Sequence, residues 1–132
     1  YDAKVKAALG ALERHDMVYL HVEAPDEAGH QGSVELKVQA IEDFDAKVVA
    51  PCLAYVEGRQ DSRLFVAPDH FTTIETRTHA GGPVPFAACG AGVTRDNATG
   101  YSEKIAAGTG LICDPGHELI ASFLDKKVTV PI

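Results

Sequence analysis

The sequence is poor in sulfur and in large aromatic rings, with no tryptophan, one methionine and three cysteines in 132 residues. The cysteines are Cys52, Cys89 and Cys113, an odd number without the CxxC spacing that is typical of structural zinc sites. Each stands in an apolar stretch, where a reduced thiol behaves as a small hydrophobic side chain. The sequence therefore predicts free thiols and a reducing, cytoplasmic environment.

Long hydrophobic runs and basic clusters are also absent. No stretch reaches the roughly eighteen apolar residues that a membrane-spanning helix needs, and the first residues do not form a signal-peptide pattern. The 12 Lys and Arg residues are scattered and outnumbered by 19 Asp and Glu, which gives a net charge of -7. This balance argues against a nucleic-acid surface, so we expect neither a membrane nor a nucleic-acid partner.

What the chain does contain is ordinary for one compact globular unit, with 45% hydrophobic and 23% charged residues. Apolar residues recur at three- and four-residue spacing over residues 2–14, which predicts a first helix. Ser33 is a good N-cap for a second helix that runs to about Val49, where Pro51 should kink or end it. The apolar spacing also continues through Leu53 and Val56, which leaves the end of this helix open. A helical turn over 102–107 and a short helix over 118–124 are predicted near the end.

Three short apolar runs predict buried strands, at residues 17–22, 64–67 and 84–89. Pro25 and Pro68 follow the first two runs and should end those strands. Gly29 and Gly32 should let the residues after Pro25 form a loop, and residues 71–82 are predicted to form another. Strands that alternate with helices favour an α/β fold with a largely parallel sheet flanked by helices. In such folds the carboxyl ends of the strands meet at one edge, which is where ligands bind.

Carboxylates and imidazoles gather near these strand ends. Asp26 and His30 follow the first run, Asp69 and His70 follow the second, and His79 precedes the third. Imidazole nitrogen and carboxylate oxygen suit Mn, Zn and related divalent ions, and five ligands are enough for most of two neighbouring ions. In a two-metal centre the ions hold the attacking and leaving oxygens of a phosphoryl transfer. Capping and loop-bridging roles for the same side chains remain open on spacing alone.

Several stretches together resemble one family. HVEAPDEAGH at 21–30, APDH at 67–70, THA at 78–80 and PVPF at 83–86 resemble the C-terminal part of archaeal-type cofactor-independent phosphoglycerate mutase. That family belongs to the alkaline phosphatase superfamily, and the resemblance extends from residue 1 to about residue 124. It implies an alkaline-phosphatase-like α/β fold, of which residues 1–132 form an incomplete, C-terminal, metal-binding portion.

The resemblance also implies roles for individual residues. Asp26, His30 and His79 match the ligands of one divalent ion, while Asp69 and His70 match part of the set for a second ion. Manganese is the expected metal for both, with Mg, Zn and Co as alternatives. The family transfers the phosphoryl group of 3-phosphoglycerate to a serine and returns it to give 2-phosphoglycerate.

The family's nucleophilic serine and most of its substrate-binding basic residues belong to an N-terminal part that this sequence lacks. The four serines of the sequence do not match the family's nucleophile motif: Ser33, Ser62, Ser102 and Ser122. We therefore expect the chain to be inactive alone and to associate with its own N-terminal part or with another copy of itself.

Arg77 is the candidate substrate-binding residue, because a guanidinium between the two metal pairs could meet a phosphate bidentately. A surface loop arginine is the simpler interpretation. Two other functions stay open beside the mutase. One is an enzyme of the same fold with another substrate, similar to a homoserine kinase or phosphonopyruvate decarboxylase. The other is a non-catalytic module that binds a metal or a partner chain.

Overall fold

The computed structural model describes residues 1–125. Its α-helices are α1 (Asp2–Ala11), α2 (Ala24–Gln31), α3 (Val34–Phe44), α4 (Ala50–Glu57), α5 (Glu103–Thr109) and α6 (Glu118–Leu124). A π-helical segment, Asp45–Val49, joins α3 to α4. Its strands are β1 (Arg63–Val66), β2 (Phe71–Thr72), β3 (His79–Ala80) and β4 (Ala87–Gly90).

The chain groups into two compact units, where its length had predicted one. The first unit contains Tyr1–Gly58 and His70–Gly82, and the second contains Arg59–Asp69 together with the described residues from Pro83 onward. The division arises because the hairpin β2–β3 joins the N-terminal helices, with β2 packed against α2. The first unit therefore combines four helices with one small hairpin.

The second predicted helix begins where expected and runs further. Ser33 caps α3, its hydroxyl accepting a hydrogen bond from the Leu36 amide at 3.2 Å. The helical path then continues through the π segment and α4 to Glu57, past the predicted end near Val49. Proline cannot donate to the preceding turn and crowds it, and the wider π turn before Pro51 accommodates this defect. Within residues 1–125 none of the helices combines the length and apolar character needed to cross a membrane.

The predicted strand at residues 17–22 is wrong for the part of the chain that the structure describes. These residues are extended, but neither of the two described strand pairs includes them. Their exposure alternates along the chain, with Met17 at 45% and Tyr19 at 77%. A strand needs a neighbour to complete its backbone hydrogen bonds, so an apolar alternating run without one remains an extended segment.

The predicted loop after this run is also wrong, because residues 24–31 form α2. Pro25 occupies the first turn of the helix, where its missing N–H would have no partner in any case. Asp26 and Glu27 stand in the same turn and favour the positive end of the helix dipole. Gly32 ends the helix in the left-handed conformation, with φ of 71°.

Both described strand pairs are antiparallel, whereas the alternation of elements predicted a largely parallel sheet. In the pair β1–β4, Arg63 lies opposite Gly90, at the positions predicted for the second and third strands. Parallel pairing of these strands would require a crossover helix between them. The intervening residues form the hairpin β2–β3 instead, so the predicted loop over 71–82 contains two short strands.

The second unit is held together by aromatic packing. Phe65 of β1 stacks on Phe86 at 5.7 Å between ring centroids and meets Phe123 of α6 at 5.5 Å. The Arg63 guanidinium donates to the main-chain carbonyls of Phe123 and Leu124. The two short C-terminal helices, α5 and α6, confirm the prediction from the sequence.

Gly29 sets how closely α2 approaches β2. A Cβ atom at Gly29 would lie 2.8 Å from both Cγ2 and the carbonyl oxygen of Thr72. We expect Gly29→Ala to destabilise the chain by about 1–3 kcal/mol, because the strand backbone cannot yield as a flexible side chain would. Gly10→Ala is the matched control, since nothing lies within 4 Å of that position, and it should stabilise by about 0.4–1 kcal/mol. Denaturant unfolding measures both, and equal values would contradict the tight contact.

Tyr101 should give the second unit a pH-dependent stability. Its hydroxyl donates to the Pro85 carbonyl at 3.0 Å. Burial, and then the charge of Glu103, raise the pKa of Tyr101 to about 12, although half of the residue stays exposed. Folding thus favours the neutral phenol. The stabilisation that Tyr101 gives the folded chain is complete below the unfolded pKa of about 10 and is lost as the pH rises through the folded pKa of about 12.

Unfolding free energies measured between pH 9 and 12 should therefore fall more steeply for the wild-type chain than for Tyr101→Phe. Absorbance titration should assign the highest tyrosine pKa to Tyr101. The same pH slope in both proteins would contradict the assignment.

Candidate metal centre

Two elements of the first unit carry the cluster. Asp26 and His30 stand one turn apart on α2 and so share a helix face. His70 directly precedes β2, and His79 lies in β3 opposite Thr72. Residues two apart on a strand, and residues directly opposite in an antiparallel pair, point to the same side. The hairpin therefore presents its imidazoles on one side, and α2 packs against β2.

The distances within the cluster match those between ligands of one ion. His30 Nε2 lies 3.1 Å from His79 Nε2 and 3.4 Å from Asp26 Oδ2, and His79 Nε2 lies 3.4 Å from Asp26 Oδ1. Ligand atoms bonded to a shared cation at about 2.1 Å lie about 3.0–3.4 Å apart in tetrahedral or octahedral geometry. These three side chains could therefore hold a divalent cation in nearly their present positions.

His70 joins the cluster through its contact with His79. The two ring centroids are 3.8 Å apart, and the ligand atoms of Asp26, His70 and His79 lie within 4.8 Å of one another. His70 is half-buried while His79 and His30 are exposed. Four of the five predicted ligands thus meet at one place, although they come from segments more than forty residues apart in sequence.

Main-chain carbonyls fix the tautomers of two of the imidazoles. His30 Nδ1 lies 2.9 Å from the Arg77 carbonyl oxygen, and His70 Nδ1 lies 3.3 Å from the Phe71 carbonyl oxygen. A carbonyl oxygen can only accept, so in each ring Nδ1 carries the proton. In the neutral ring Nε2 then keeps the lone pair that a metal ligand requires.

Asp26 is favoured in its ionised form. The largest cause that lowers its pKa is the hydrogen bond from the Thr72 hydroxyl. Burial of the side chain, which is 35% exposed, acts in the opposite direction, and the charges of His30, His79 and His70 lower the pKa further. A carboxylate must be deprotonated to bind a cation, so this environment suits the role of a ligand.

The other two predicted site residues, Asp69 and Arg77, are not among the ligand atoms of this cluster. Asp69 is exposed and belongs to the second unit, and the possible ligand group found among residues 1–125 does not include it. Arg77 lies in the hairpin turn with φ of 54°, and its guanidinium lies close to Gly32. The observed contribution of Arg77 to the cluster is its main-chain carbonyl, which the sequence did not predict. Roles for Asp69 as a ligand and for Arg77 with a phosphate stay predictions.

Thr72 was missed in the sequence. It is 4% exposed, and its hydroxyl contacts both Asp26 and His70. A single threonine after a histidine is common and carries no signal by itself. The available signal was the strand period, which places His70 and Thr72 on one face if a strand begins at residue 71.

Comparison with known proteins identifies the family of this sequence. The sequence profile of the Metalloenzyme superfamily matches residues 1–119. A protein of Geobacter sulfurreducens named "Probable 2,3-bisphosphoglycerate-independent phosphoglycerate mutase" is 50% identical over 96% of this chain and 32% of its own length. The 2,3-bisphosphoglycerate-independent phosphoglycerate mutase of Methanothrix thermoacetophila is 48% identical over 91% of this chain and 31% of its own length. The resemblance recognised in the sequence is thereby confirmed.

A solved structure gives the same result for the fold. The PH0037 protein from Pyrococcus horikoshii matches with a TM-score of 0.80 and 28% identity, over 96% of this chain and 38% of that protein. The predicted α/β, alkaline-phosphatase-like class is confirmed. The chain spans about a third of the length of the curated relatives that it matches. With its cluster of carboxylate and imidazole ligands, the chain belongs to the Metalloenzyme superfamily, whose members bind divalent metal ions.

Proposed function

We propose that this chain is the metal-binding, C-terminal part of a 2,3-bisphosphoglycerate-independent phosphoglycerate mutase, an isomerase that interconverts 3-phosphoglycerate and 2-phosphoglycerate in glycolysis. The observation that carries the proposal is the convergence of Asp26, His30 and His79 at 3.1–3.4 Å. The similarity to relatives of that name, at 48–50% identity, supports the choice of substrate.

The ligand chemistry supports manganese. Asp26, His30 and His79 bind one divalent ion in this proposal, and Asp69 and His70 contribute to a second. A mixed set of carboxylate oxygen and imidazole nitrogen suits Mn²⁺, whereas Mg²⁺ prefers oxygen alone. Bound divalent ions supply electrostatic stabilisation for the charge on a phosphoryl group in transfer.

The chain's own residues prepare this site. Asp26 supplies a carboxylate that is favoured in its ionised form, and the Arg77 carbonyl holds His30 with Nε2 directed at the cluster. The nucleophilic serine is expected from the part of the relatives that this chain does not match. Arg77 remains a candidate for binding the substrate's phosphate or carboxylate group.

An uncovered apolar face supports association with that remaining part. Val34, Val38 and Ile41 lie on one side of α3, at positions i, i+4 and i+7, and each is 50–55% exposed. The extended segment 17–22 of the same unit alternates between exposed and half-buried residues without a paired strand among the described residues. Because the relatives are about three times as long as this chain, their remaining sequence is the proposed partner for this face, in preference to a second copy.

The proposed location is the reducing cytoplasm. Cys52, Cys89 and Cys113 form no disulfide, which agrees with that environment.

Asp26→Asn should weaken Mn²⁺ binding by about 100-fold or more in isothermal titration of the chain. Loss of a hydrogen-bond partner of a ligand typically costs 10- to 100-fold, and loss of a charged ligand should cost at least as much. Asp43→Asn is the matched control, because it also removes one carboxylate. Asp43 lies on the neighbouring helix α3 and pairs with Lys47 at 3.0 Å. The ligand assignment is wrong if both variants bind Mn²⁺ equally well.

The activity is tested on the longer protein that contains this sequence. A coupled assay should detect conversion of 3-phosphoglycerate to 2-phosphoglycerate that requires Mn²⁺ and stops after chelation. The 132-residue chain alone should give no turnover, because it lacks a serine in the nucleophile motif.

Three results would revise the proposal. Turnover by the isolated chain would contradict its dependence on a partner. A longer protein that binds Mn²⁺ but leaves phosphoglycerate unchanged would favour another phosphorylated substrate, and homoserine phosphate would be assayed next. A chain without an upstream coding region would favour a non-catalytic module that binds a metal or a partner.

A further inference from the structure

Thr72 is the buried polar residue of the described core, at 4% exposure, and both its hydroxyl and its main-chain carbonyl make hydrogen bonds. The Lys37 ammonium group of α3 donates to its main-chain carbonyl. Its side chain fits beneath α2 because Gly29 has no Cβ there. The position of the hydroxyl is therefore fixed from two helices.

The hydroxyl contacts two metal-ligand candidates at once. Thr72 Oγ1 donates to Asp26 Oδ1, because an ionised carboxylate can only accept. Its lone pairs face His70 Nδ1 at 3.3 Å, and that nitrogen carries a proton because it also faces the Phe71 carbonyl. His70 therefore donates a hydrogen bond to Thr72, and Thr72 donates one to Asp26.

This chain of hydrogen bonds sets the orientation of the carboxylate. Asp26 Oδ1, which accepts from Thr72, is also the oxygen 3.4 Å from His79 Nε2, while Oδ2 is 3.4 Å from His30 Nε2. A free aspartate side chain rotates about its last bond, since that torsion has a broad and shallow preference. A hydrogen bond to one oxygen restricts the rotation and keeps both oxygens directed at imidazoles.

We propose that Thr72 is a positioning residue of the metal centre, whose hydroxyl fixes the Asp26 carboxylate and the His70 ring relative to each other before an ion binds. This inference rests on the proposed function, because it assumes that these side chains bind a cation. Such partners typically contribute 10- to 100-fold to metal affinity. Thr72 itself is not a ligand in this arrangement.

The test compares side chains of similar shape in the full chain. Thr72→Val keeps the branched shape and removes the hydroxyl, and Thr72→Ala removes it with less risk of strain at Gly29. Thr72→Ser keeps the hydroxyl. Thr73→Val is the matched control, because it removes a hydroxyl from the same hairpin. That hydroxyl pairs with the Thr76 hydroxyl at 2.5 Å. Mn²⁺ affinity is measured by isothermal titration well below the unfolding temperature, and thermal unfolding is measured without metal.

We expect Thr72→Val and Thr72→Ala to bind Mn²⁺ about 10- to 100-fold more weakly than the wild-type chain. Thr72→Ser should remain within about threefold of wild type, and Thr73→Val should be unchanged. The metal-free unfolding temperature of Thr72→Val should stay close to that of wild type, because Asp26 is partly exposed and can bond to water instead.

Wild-type Mn²⁺ affinity in both Thr72→Val and Thr72→Ala would overturn the positioning role while leaving the metal centre intact. A lower metal-free unfolding temperature with unchanged Mn²⁺ affinity of the folded chain would make Thr72 a structural residue only. If the wild-type chain itself binds no Mn²⁺, the proposed metal function fails and this inference fails with it.

Discussion

The candidate site depends on the close approach of helix α2 to strand β2. At Gly29 the helix has no side chain, and the strand comes near enough that a methyl group would touch the Thr72 backbone. This contact places Asp26 and His30, from the helix, beside His70 and His79, from the hairpin. Side chains as short as aspartate can meet an imidazole only when their backbones are close, so the packing of two elements decides the chemistry.

The polar contacts follow from the same approach. Each of the two backbone–imidazole hydrogen bonds uses a carbonyl of the hairpin segment, from Phe71 and Arg77. Arg77 adopts a left-handed conformation, which non-glycine residues rarely do without surrounding support. Its carbonyl meets His30 in the adjacent helix, and its side chain lies against Gly32. The turn therefore contributes a main-chain carbonyl to the site.

Capping residues and apolar periodicity predicted the helices that depend on contacts between residues close in sequence. Ser33 marked the start of α3 through its hydroxyl, and the apolar period identified the last helix correctly. Residues 17–22 show the limit of this method, because an alternating apolar run becomes a strand only when a neighbour completes its hydrogen bonds. Pro25 shows another limit, since proline ends a strand and equally well begins a helix.

The candidate ligands were found because carboxylates and imidazoles are few and chemically distinctive. Thr72 was not found, because its role comes from burial and from contacts more than forty residues away in sequence. Asp69 and His70 are neighbours in sequence, yet only His70 joins the possible ligand group in the described structure.

His30 and His79 touch although 49 residues separate them in sequence. A cation shared by these two rings would act as a cross-link that closes a loop of that length. Closing such a loop removes conformational freedom from the unfolded chain, by about 4 kcal/mol in the simplest treatment of cross-links. The same ion would then serve folding as well as chemistry, and the supply of metal in the cell would help determine how much of the protein is folded.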